Sequence, residues 1–173
     1  MNTTTQTDTT KALTLAEEYN ASAVDYLRTF GIAAEYVSDL ADGVANNEET
    51  GEALDITEWA LSKGYSEDDV HGAAVIARSE LLECDTEDEA WLVYVDGALA
   101  IEATGKNNGT EWRVTGVEVT ITYGGPNTWL TWNGNRSDYV TVTTVYGYDR
   151  ASTTVEAPVL VSVLSWWADE LEG

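Results

Sequence analysis

The chain has few residues that could carry nucleophilic or metal-based chemistry. His71 is the only histidine and Cys84 the only cysteine. A catalytic triad needs a histidine beside a serine or cysteine, and His71 has no obvious partner of this kind. The carboxylates three and four residues before His71 favour a structural or solvated histidine over a metal ligand or general base. Glu83 and Asp85 flank Cys84 and should raise the pKa of its thiol, which predicts an unreactive, partly buried side chain near a helix end.

Acidic residues are the one strong functional signal. Thirty-one Asp and Glu against eight Lys and Arg give a net charge of −23, and positions 35 to 89 hold seventeen of the acidic residues against two basic ones. Charge at this density opposes compaction, so it must be hydrated, screened by cations or met by a basic partner. The predicted partner-binding surface comprises fourteen carboxylates and one tryptophan: Glu48, Glu49, Glu52, Asp55, Glu58, Trp59, Glu67, Asp68, Asp69, Glu80, Glu83, Asp85, Glu87, Asp88 and Glu89.

Several function classes are disfavoured. Neither GxGxxG nor GxxxxGK[ST] occurs, and Gly124-Gly125-Pro126 is typical of a turn and not of a phosphate loop. The scattered basic residues form no groove for RNA or DNA, and an acidic surface repels both nucleic acid and anionic lipid. We therefore expect no enzyme, no cofactor and no metal site. A pair of carboxylates meeting in a cleft, as in glycosidases, stays open.

Length and composition predict a folded, intracellular protein. With 173 residues, 43% of them hydrophobic, the chain can bury a core in one domain or two small ones without disulfides. Residues 1–10 are polar and rich in threonine, which is not typical of a signal peptide, and we expect residues 1–13 to be disordered. No apolar run approaches the ~20 residues that span a bilayer, so the expected location is the cytoplasm.

Residues 14–89 are predicted to form an acidic helical region. Thr14 and Glu17 make a capping box, Gly31 is expected to end the first helix, and a second helix is predicted over 32–41. The expected core stripe of the first helix is Leu15, Tyr19, Ala23, Tyr26, Leu27 and Phe30.

The third and fourth helices are predicted as an αα-hairpin across Gly64. Asp55 caps the third helix, and Ser66 caps the fourth. If the third helix extends back far enough, Glu48, Glu52, Asp55 and Glu58 share its outer side, with Trp59 at the edge. Trp59 either packs over the edge of the core or is an exposed anchor for a partner. A mostly buried face of the fourth helix comprises Val70, Ala73, Ala74, Val75, Ile76, Ala77, Leu81 and Leu82.

Residues 90–173 are predicted to form an antiparallel β-meander with a closing helix. Five strands are expected at 91–95, 98–103, 112–123, 128–132 and 139–148, the first two joined by a type I′ turn at Asp96-Gly97. Pro158 fits the first turn of a final helix, whose apolar stripe is Leu160, Val163, Leu164, Trp167 and Leu171. The predicted class is α+β, with this helix packed on the sheet and the helical region sharing its core or standing apart.

The leading functional hypothesis is imitation of DNA. Small size, extreme negative charge, few lysines and many aromatic residues resemble the DNA-mimic inhibitors that phages and mobile elements use against restriction enzymes and CRISPR effectors. That resemblance implies a non-enzymatic protein that blocks the DNA-binding channel of a basic enzyme. Separately, the segment from Tyr123-Gly124-Gly125-Pro126-Asn127-Thr128-Trp129 to Tyr146-Gly147-Tyr148 is similar to the tail of small uncharacterised phage and plasmid proteins.

Two other functions remain open. Adaptation to molar salt would also produce an acidic surface, although it would spread the acidic residues over both halves of the chain. A carbohydrate-binding β-module would use an aromatic platform made by Trp129, Trp132, Tyr139, Tyr146 and Tyr148.

Overall fold

The computed structural model describes residues 13–107, 109, 112–122, 125–134 and 138–172. Within them the chain is α+β, as predicted, with N-terminal helices, an antiparallel meander and a C-terminal helix that packs on the sheet. The described residues form four helices before the meander and five strands within it. The helices are α1 Leu15–Ala41, α2 Ile56–Lys63, α3 Glu67–Ser79, α4 Glu87–Asp96 and α5 Pro158–Glu172. The strands are β1 Ala100–Asn107, β2 Trp112–Thr122, β3 Asn127–Trp132, β4 Tyr139–Tyr146 and β5 Asp149–Glu156.

Helix α1 begins at the predicted capping box but does not end at Gly31. Glu17 and Thr14 exchange the two hydrogen bonds of the box. The helix then continues for 27 residues, so the prediction of two helices is wrong. Gly31 lies inside this helix beside the Trp91 indole, which a Cβ would approach to 3.4 Å, an ordinary van der Waals contact.

The face that α1 buries is rotated from the predicted stripe. Leu27 and Phe30 are buried as expected, whereas Leu15, Tyr19 and Tyr26 are exposed. The buried face comprises Ala16, Asn20, Val24, Leu27, Phe30, Ile32, Ala33, Ala34 and Val37. Small residues therefore make much of this contact, which allows neighbouring elements to approach closely.

Helices α2 and α3 form the predicted αα-hairpin. Asp55 and Ser66 cap them, and Gly64 takes a left-handed conformation between them, with φ +89°. The α3 face is buried at Val70, Ile76 and the predicted alanines, but Val75 and Leu82 are exposed. Those two residues were wrongly included in the buried face.

Residues 91–95 are helical, so the predicted first strand and its type I′ turn are wrong. They belong to α4, which Thr86 caps by accepting a hydrogen bond from the Glu89 N–H. Gly97 is the C-cap, with φ −73°. The last residues of the predicted helical region, 87–89, thus form the first turn of a helix, and the helical region extends to Asp96.

The meander has the strand order β1-β2-β3-β4-β5. The strand predicted over 139–148 ends at Tyr146, and β5 was not predicted at all. A turn at Gly147, with φ +62°, joins β4 to β5. Two predictions concern residues outside the described ranges: the inclusion of Tyr123 in the strand predicted over 112–123, and the disorder expected at 1–12.

One face of the sheet is buried against α1 and α5, and the other we call the outer face. Buried side chains include Val117, Val119, Leu130, Val140 and Val142. The outer face carries a row of residues paired across all five strands: Glu102, Glu118, Thr131, Thr141 and Thr154.

The helices and the sheet share one continuous cluster of buried residues. Asn20 of α1 is buried at the junction. Its amide nitrogen donates to the Val142 carbonyl at 3.0 Å, and its side-chain oxygen accepts from the Thr153 hydroxyl at 2.5 Å. This polar link joins the helical layer, which we define as residues 13–99, to two strands.

Helix α5 covers the sheet mainly over β2. Leu160, Val163 and Leu164 are buried as predicted, Trp167 is half-buried, and Leu171 is exposed. In the described part of the chain, no helix combines the length and the apolar character that crossing a bilayer requires.

Candidate functional site: the acidic helical surface

The predicted partner-binding carboxylates lie in loops and at helix starts. Twelve of the fourteen are exposed, and Asp69 and Glu87 are half-buried. Helix α2 begins only at Ile56, so the predicted helical row through Glu48, Glu52, Asp55 and Glu58 does not exist. Charge is concentrated in this region but is not arranged along helix faces.

Trp59 is not available to a partner. Its side chain is 2% exposed and stacks edge-on against Tyr36, with ring centroids 5.3 Å apart. The exposed-anchor interpretation of Trp59 is therefore wrong, and the residue belongs to the core.

Five of the predicted carboxylates have partners within the fold: Asp55, Asp69, Glu80, Glu87 and Glu89. Asp55 is the clearest case. It accepts a hydrogen bond from the Thr57 N–H at 2.8 Å and pairs with Arg78 at 3.0 Å. The Thr57 hydrogen bonds, and after them Arg78, hold the pKa of Asp55 below its ordinary value. These side chains help to build the helices that carry the surface.

The other nine predicted carboxylates make neither a side-chain hydrogen bond nor an ion pair with the described residues, and all nine are exposed. We call them the acidic surface: Glu48, Glu49, Glu52, Glu58, Glu67, Asp68, Glu83, Asp85 and Asp88. Because nothing within the described fold neutralises them, their charge is available to solvent cations or to a partner.

The helix dipole accounts for only part of the acidic surface. Glu58, Glu67, Asp68 and Asp88 lie in the first turns of α2, α3 and α4. A carboxylate in the first turn stabilises a helix by about 0.3–1 kcal/mol. The other five lie outside the helices and gain nothing from this effect: Glu48, Glu49, Glu52, Glu83 and Asp85.

Lys63 forms ion pairs with two further carboxylates, both on α1. Its Nζ lies 2.9 Å from Glu35 Oε1 and 2.8 Å from Asp39 Oδ2. The Tyr65 hydroxyl donates to Glu35 at 2.5 Å, and the Trp59 indole donates to Asp39 at 3.0 Å. The hydrogen bonds to Asp39 and Glu35 raise the pKa of Lys63, while burial and then Glu35 raise the pKa of Tyr65 to about 12. Sequence reasoning missed this cluster, which ties α2 and the following turn to α1.

A cleft of about 280 Å³ lies beside this cluster, between α1, the start of α4 and the end of β5. Glu87 lines it, and burial raises the pKa of Glu87, helped by repulsion from Glu35 and opposed by the hydrogen bond from Trp91. A carboxyl with a raised pKa near an ionised one is an arrangement that acid–base enzymes use. However, the Glu35 carboxylate is held by Lys63 and Tyr65 and is not free to act as a base or nucleophile. The geometry therefore favours a structural role for this pair.

The positions of His71 and Cys84 do not indicate a catalytic role. His71 is exposed on α3, and Cys84 is half-buried after its end. Burial, and then the neighbouring carboxylates, raise the pKa of the Cys84 thiol, as predicted. Across the described ranges, no three His, Cys, Asp or Glu side chains are grouped so as to hold a metal ion.

The predicted sugar-binding platform does not form. Neighbouring residues of a strand point to opposite faces, so Trp129 lies on the outer face whereas Trp132 lies in the core and is 7% exposed. Tyr148 lies beyond the end of β4 and is fully exposed. The five aromatic residues therefore do not all lie on one surface.

Comparison with known proteins identifies no relative. No family model matches the chain, and neither a curated protein nor a solved structure matches it.

Proposed function

We propose that this chain is a non-enzymatic acidic protein that occupies the nucleic-acid-binding surface of a basic enzyme, such as a restriction or CRISPR effector in the cytoplasm of a host cell. One observation carries the proposal. Nine exposed carboxylates, concentrated between Glu48 and Asp88, have no hydrogen-bonding or ionic partner among the described residues. A protein that keeps so many charges unneutralised at this density is suited to binding a surface rich in Lys and Arg.

The proposed imitation is of charge density and not of phosphate spacing. Duplex DNA presents one negative charge per ~1.7 Å of its axis. The acidic surface has no helical row to match that repeat, because its residues lie in loops and first helical turns. A basic channel evolved for DNA still attracts such a surface, since its non-specific binding energy is electrostatic.

The unequal distribution of charge favours this function over salt adaptation. Residues 13–99 carry twenty-one acidic residues and three basic ones, whereas residues 100–173 carry nine and four. Hydration of a protein in molar salt would require acidic residues over the whole surface.

Competition with DNA tests the proposal. Purified restriction endonucleases and CRISPR effector complexes would be incubated with a fluorescent duplex, and the loss of DNA binding followed by anisotropy at low and high salt. We expect one such enzyme to be inhibited, and the inhibition to weaken as salt rises. Changing Glu48, Glu49 and Glu52 together to glutamine should weaken inhibition about tenfold or more. Asp55 is left intact because it caps α2.

The matched control removes the same number of charges elsewhere. Glu102, Glu118 and Glu156 lie in the sheet, and their joint change to glutamine should leave inhibition nearly unchanged. Equal loss in the two triple variants would mean that net charge alone acts. Failure of every basic nucleic-acid enzyme to respond at low salt would refute the proposed function.

A further inference from the structure

An apolar pocket opens within the acidic region, where the end of α1, the start of α2 and the end of α3 meet. Its volume is about 330 Å³, near the lower end of the ~300–1,000 Å³ that ligand sites span. Such a volume can take one large side chain. The apolar residues that line it include Val37, Leu40, Ile56, Ala77 and Leu81.

The rim of this pocket combines charge with an exposed leucine. Asp85 and the Asp55–Arg78 ion pair line the opening, and Glu83 follows closely in the chain. Leu82 also lines the pocket and is 78% exposed, although it stands between acidic residues. Leu82 therefore adds exposed apolar surface to the opening of the pocket.

We propose that this pocket holds an apolar side chain borne by a Lys- and Arg-rich segment of the protein partner. The inference rests on the proposed function and specifies how the partner is held: the acidic surface attracts the basic segment, and the pocket fixes it. Large apolar anchors seated in pockets supply most of the binding energy in many interfaces, while rim charges mainly speed association.

Charge complementarity selects this occupant. A second copy of the chain would bring another net charge of −23 to the same face, so self-association is opposed. A small carboxylic acid would need a free cation, but Arg78 is already paired with Asp55 at 3.0 Å. A basic segment meets opposite charge at Asp85 on the rim and at the nearby Glu83, while the cation on the rim, Arg78, is paired with Asp55.

Two peptides serve as probes of the full-length protein. Both are rich in lysine and arginine and are identical except for a central tryptophan in one and a central serine in the other. Titration by anisotropy gives the dissociation constants at several salt concentrations. We expect the tryptophan peptide to bind at least about tenfold more tightly, because it buries an aromatic side chain. This ratio should persist as salt weakens both peptides.

Cys84 reports where the peptide binds, because it lines the pocket and is the only cysteine. Saturating tryptophan peptide should slow alkylation of Cys84 severalfold, whereas saturating serine peptide should not. The reaction is best followed at mildly alkaline pH, since burial and neighbouring carboxylates raise the pKa of this thiol.

Two pairs of variants locate the contact. Leu82→Ser removes the exposed rim residue, and Leu99→Ser is its control at another exposed leucine. Ala41→Phe fills the pocket from the end of α1, and Ala21→Phe is its control on an exposed part of the same helix. We expect Leu82→Ser and Ala41→Phe to remove most of the tenfold preference and the controls to retain it, with all four variants folded by circular dichroism.

The outcomes separate this inference from the proposed function. Equal binding of the two peptides, with normal salt dependence, would overturn the pocket inference alone. A preference for tryptophan that survives Leu82→Ser and Ala41→Phe would overturn it as well. Dimerisation that Leu82→Ser abolishes would show a second copy to be the occupant, again against the inference. Absence of binding by either peptide at low salt would instead remove the electrostatic basis of the proposed function.

Discussion

The helical layer and the outer face of the sheet expose different kinds of side chain to water. The helical layer carries twenty-one acidic residues and three basic ones. The outer face relies largely on hydroxyl groups, such as those of Thr131, Thr141 and Thr154. Threonine suits a strand because its branched side chain packs on the pleated surface while its hydroxyl remains polar. Because mostly neutral side chains are enough to keep the outer face hydrated, hydration alone does not explain the charge of the helical layer.

The aromatic residues of the two regions also differ in how deeply they are buried. In the helical layer, Phe30 and Trp91 pack with their ring centroids 5.1 Å apart, and Trp59 lies fully within the core. On the outer face, Trp129 is half-buried and lies 5.8 Å from the Arg150 guanidinium. In the helical layer, the packing of aromatic residues in the interior therefore offsets the repulsion between surface charges. The outer face lacks such an interior.

Truncation of one tryptophan in each region gives the largest expected contrast. Trp59→Ala should destabilise the protein by about 3–5 kcal/mol, because it leaves a cavity among buried rings. Trp129→Ala should cost about 1 kcal/mol, since it removes a half-exposed ring and one cation–π contact. Urea unfolding measures both, and urea is preferable to guanidinium chloride because it does not screen the carboxylates. Similar losses in the two variants would contradict the contrast between the regions.

Asn20→Ala tests the link between the two regions. The variant leaves the Val142 carbonyl and the Thr153 hydroxyl without their buried partner, so we expect a loss of about 2–3 kcal/mol. Tm should fall by roughly 4–10 °C in a thermal scan. Ser22→Ala is the control, because this exposed hydroxyl bonds only within its own helix, and its effect should stay within about 0.5 kcal/mol. A loss equally small at Asn20 would mean that apolar contacts alone join the helical layer to the sheet.

The sequence identifies those parts of the fold that depend on local chemistry. The caps at Thr14, Asp55 and Ser66 are confirmed because each requires residues within one turn of the chain. The short apolar run at 91–95 was misread as a strand, since periodicity cannot separate a short strand from a buried helix segment. The missed signal was Thr86 followed three residues later by Glu89, a helix start of the same type as the one recognised at Thr14.

Long-range pairing accounts for what the sequence could not show. Strand β5 has few apolar residues, so no alternation marks it, and only its register with β4 defines it. Exposure of the acidic residues was predictable because charged side chains are rarely buried. Which of these residues form ion pairs within the fold was not predictable. Lys63, for example, pairs with Glu35, which lies 28 positions away in the chain. Spatial proximity alone separates structural carboxylates from those of the acidic surface.

Glu87→Gln tests whether charge in the helical layer opposes folding. Burial and repulsion from Glu35 raise the pKa of Glu87, so the folded protein holds this proton more tightly than the unfolded chain does. Its contribution to stability is therefore present below the unfolded pKa and is lost as pH rises through the folded pKa. At pH 7 the variant should raise Tm by about 1–3 °C, and the gain should vanish near pH ~4.

The neighbouring Asp88 supplies the control for this prediction. Asp88 is exposed and lies in the same first turn of α4. Asp88→Asn removes a favourable dipole interaction and should lower Tm slightly. A fall in Tm at pH 7 for both variants would show that the dipole outweighs burial at Glu87 as well.

The smallest expected effect concerns the few charges on the outer face. Glu102 and Glu118 lie directly opposite each other on β1 and β2, and like charges in this position destabilise a sheet. Glu102→Lys replaces this repulsion with an attractive pair, so we expect a gain of about 0.5 kcal/mol in urea unfolding at low salt. The gain should disappear in Glu102→Lys combined with Glu118→Gln, which removes the partner. A gain that persists in the double variant would mean that the lysine acts through the whole negative charge of the molecule, so that the charge of the helical layer reaches the outer face.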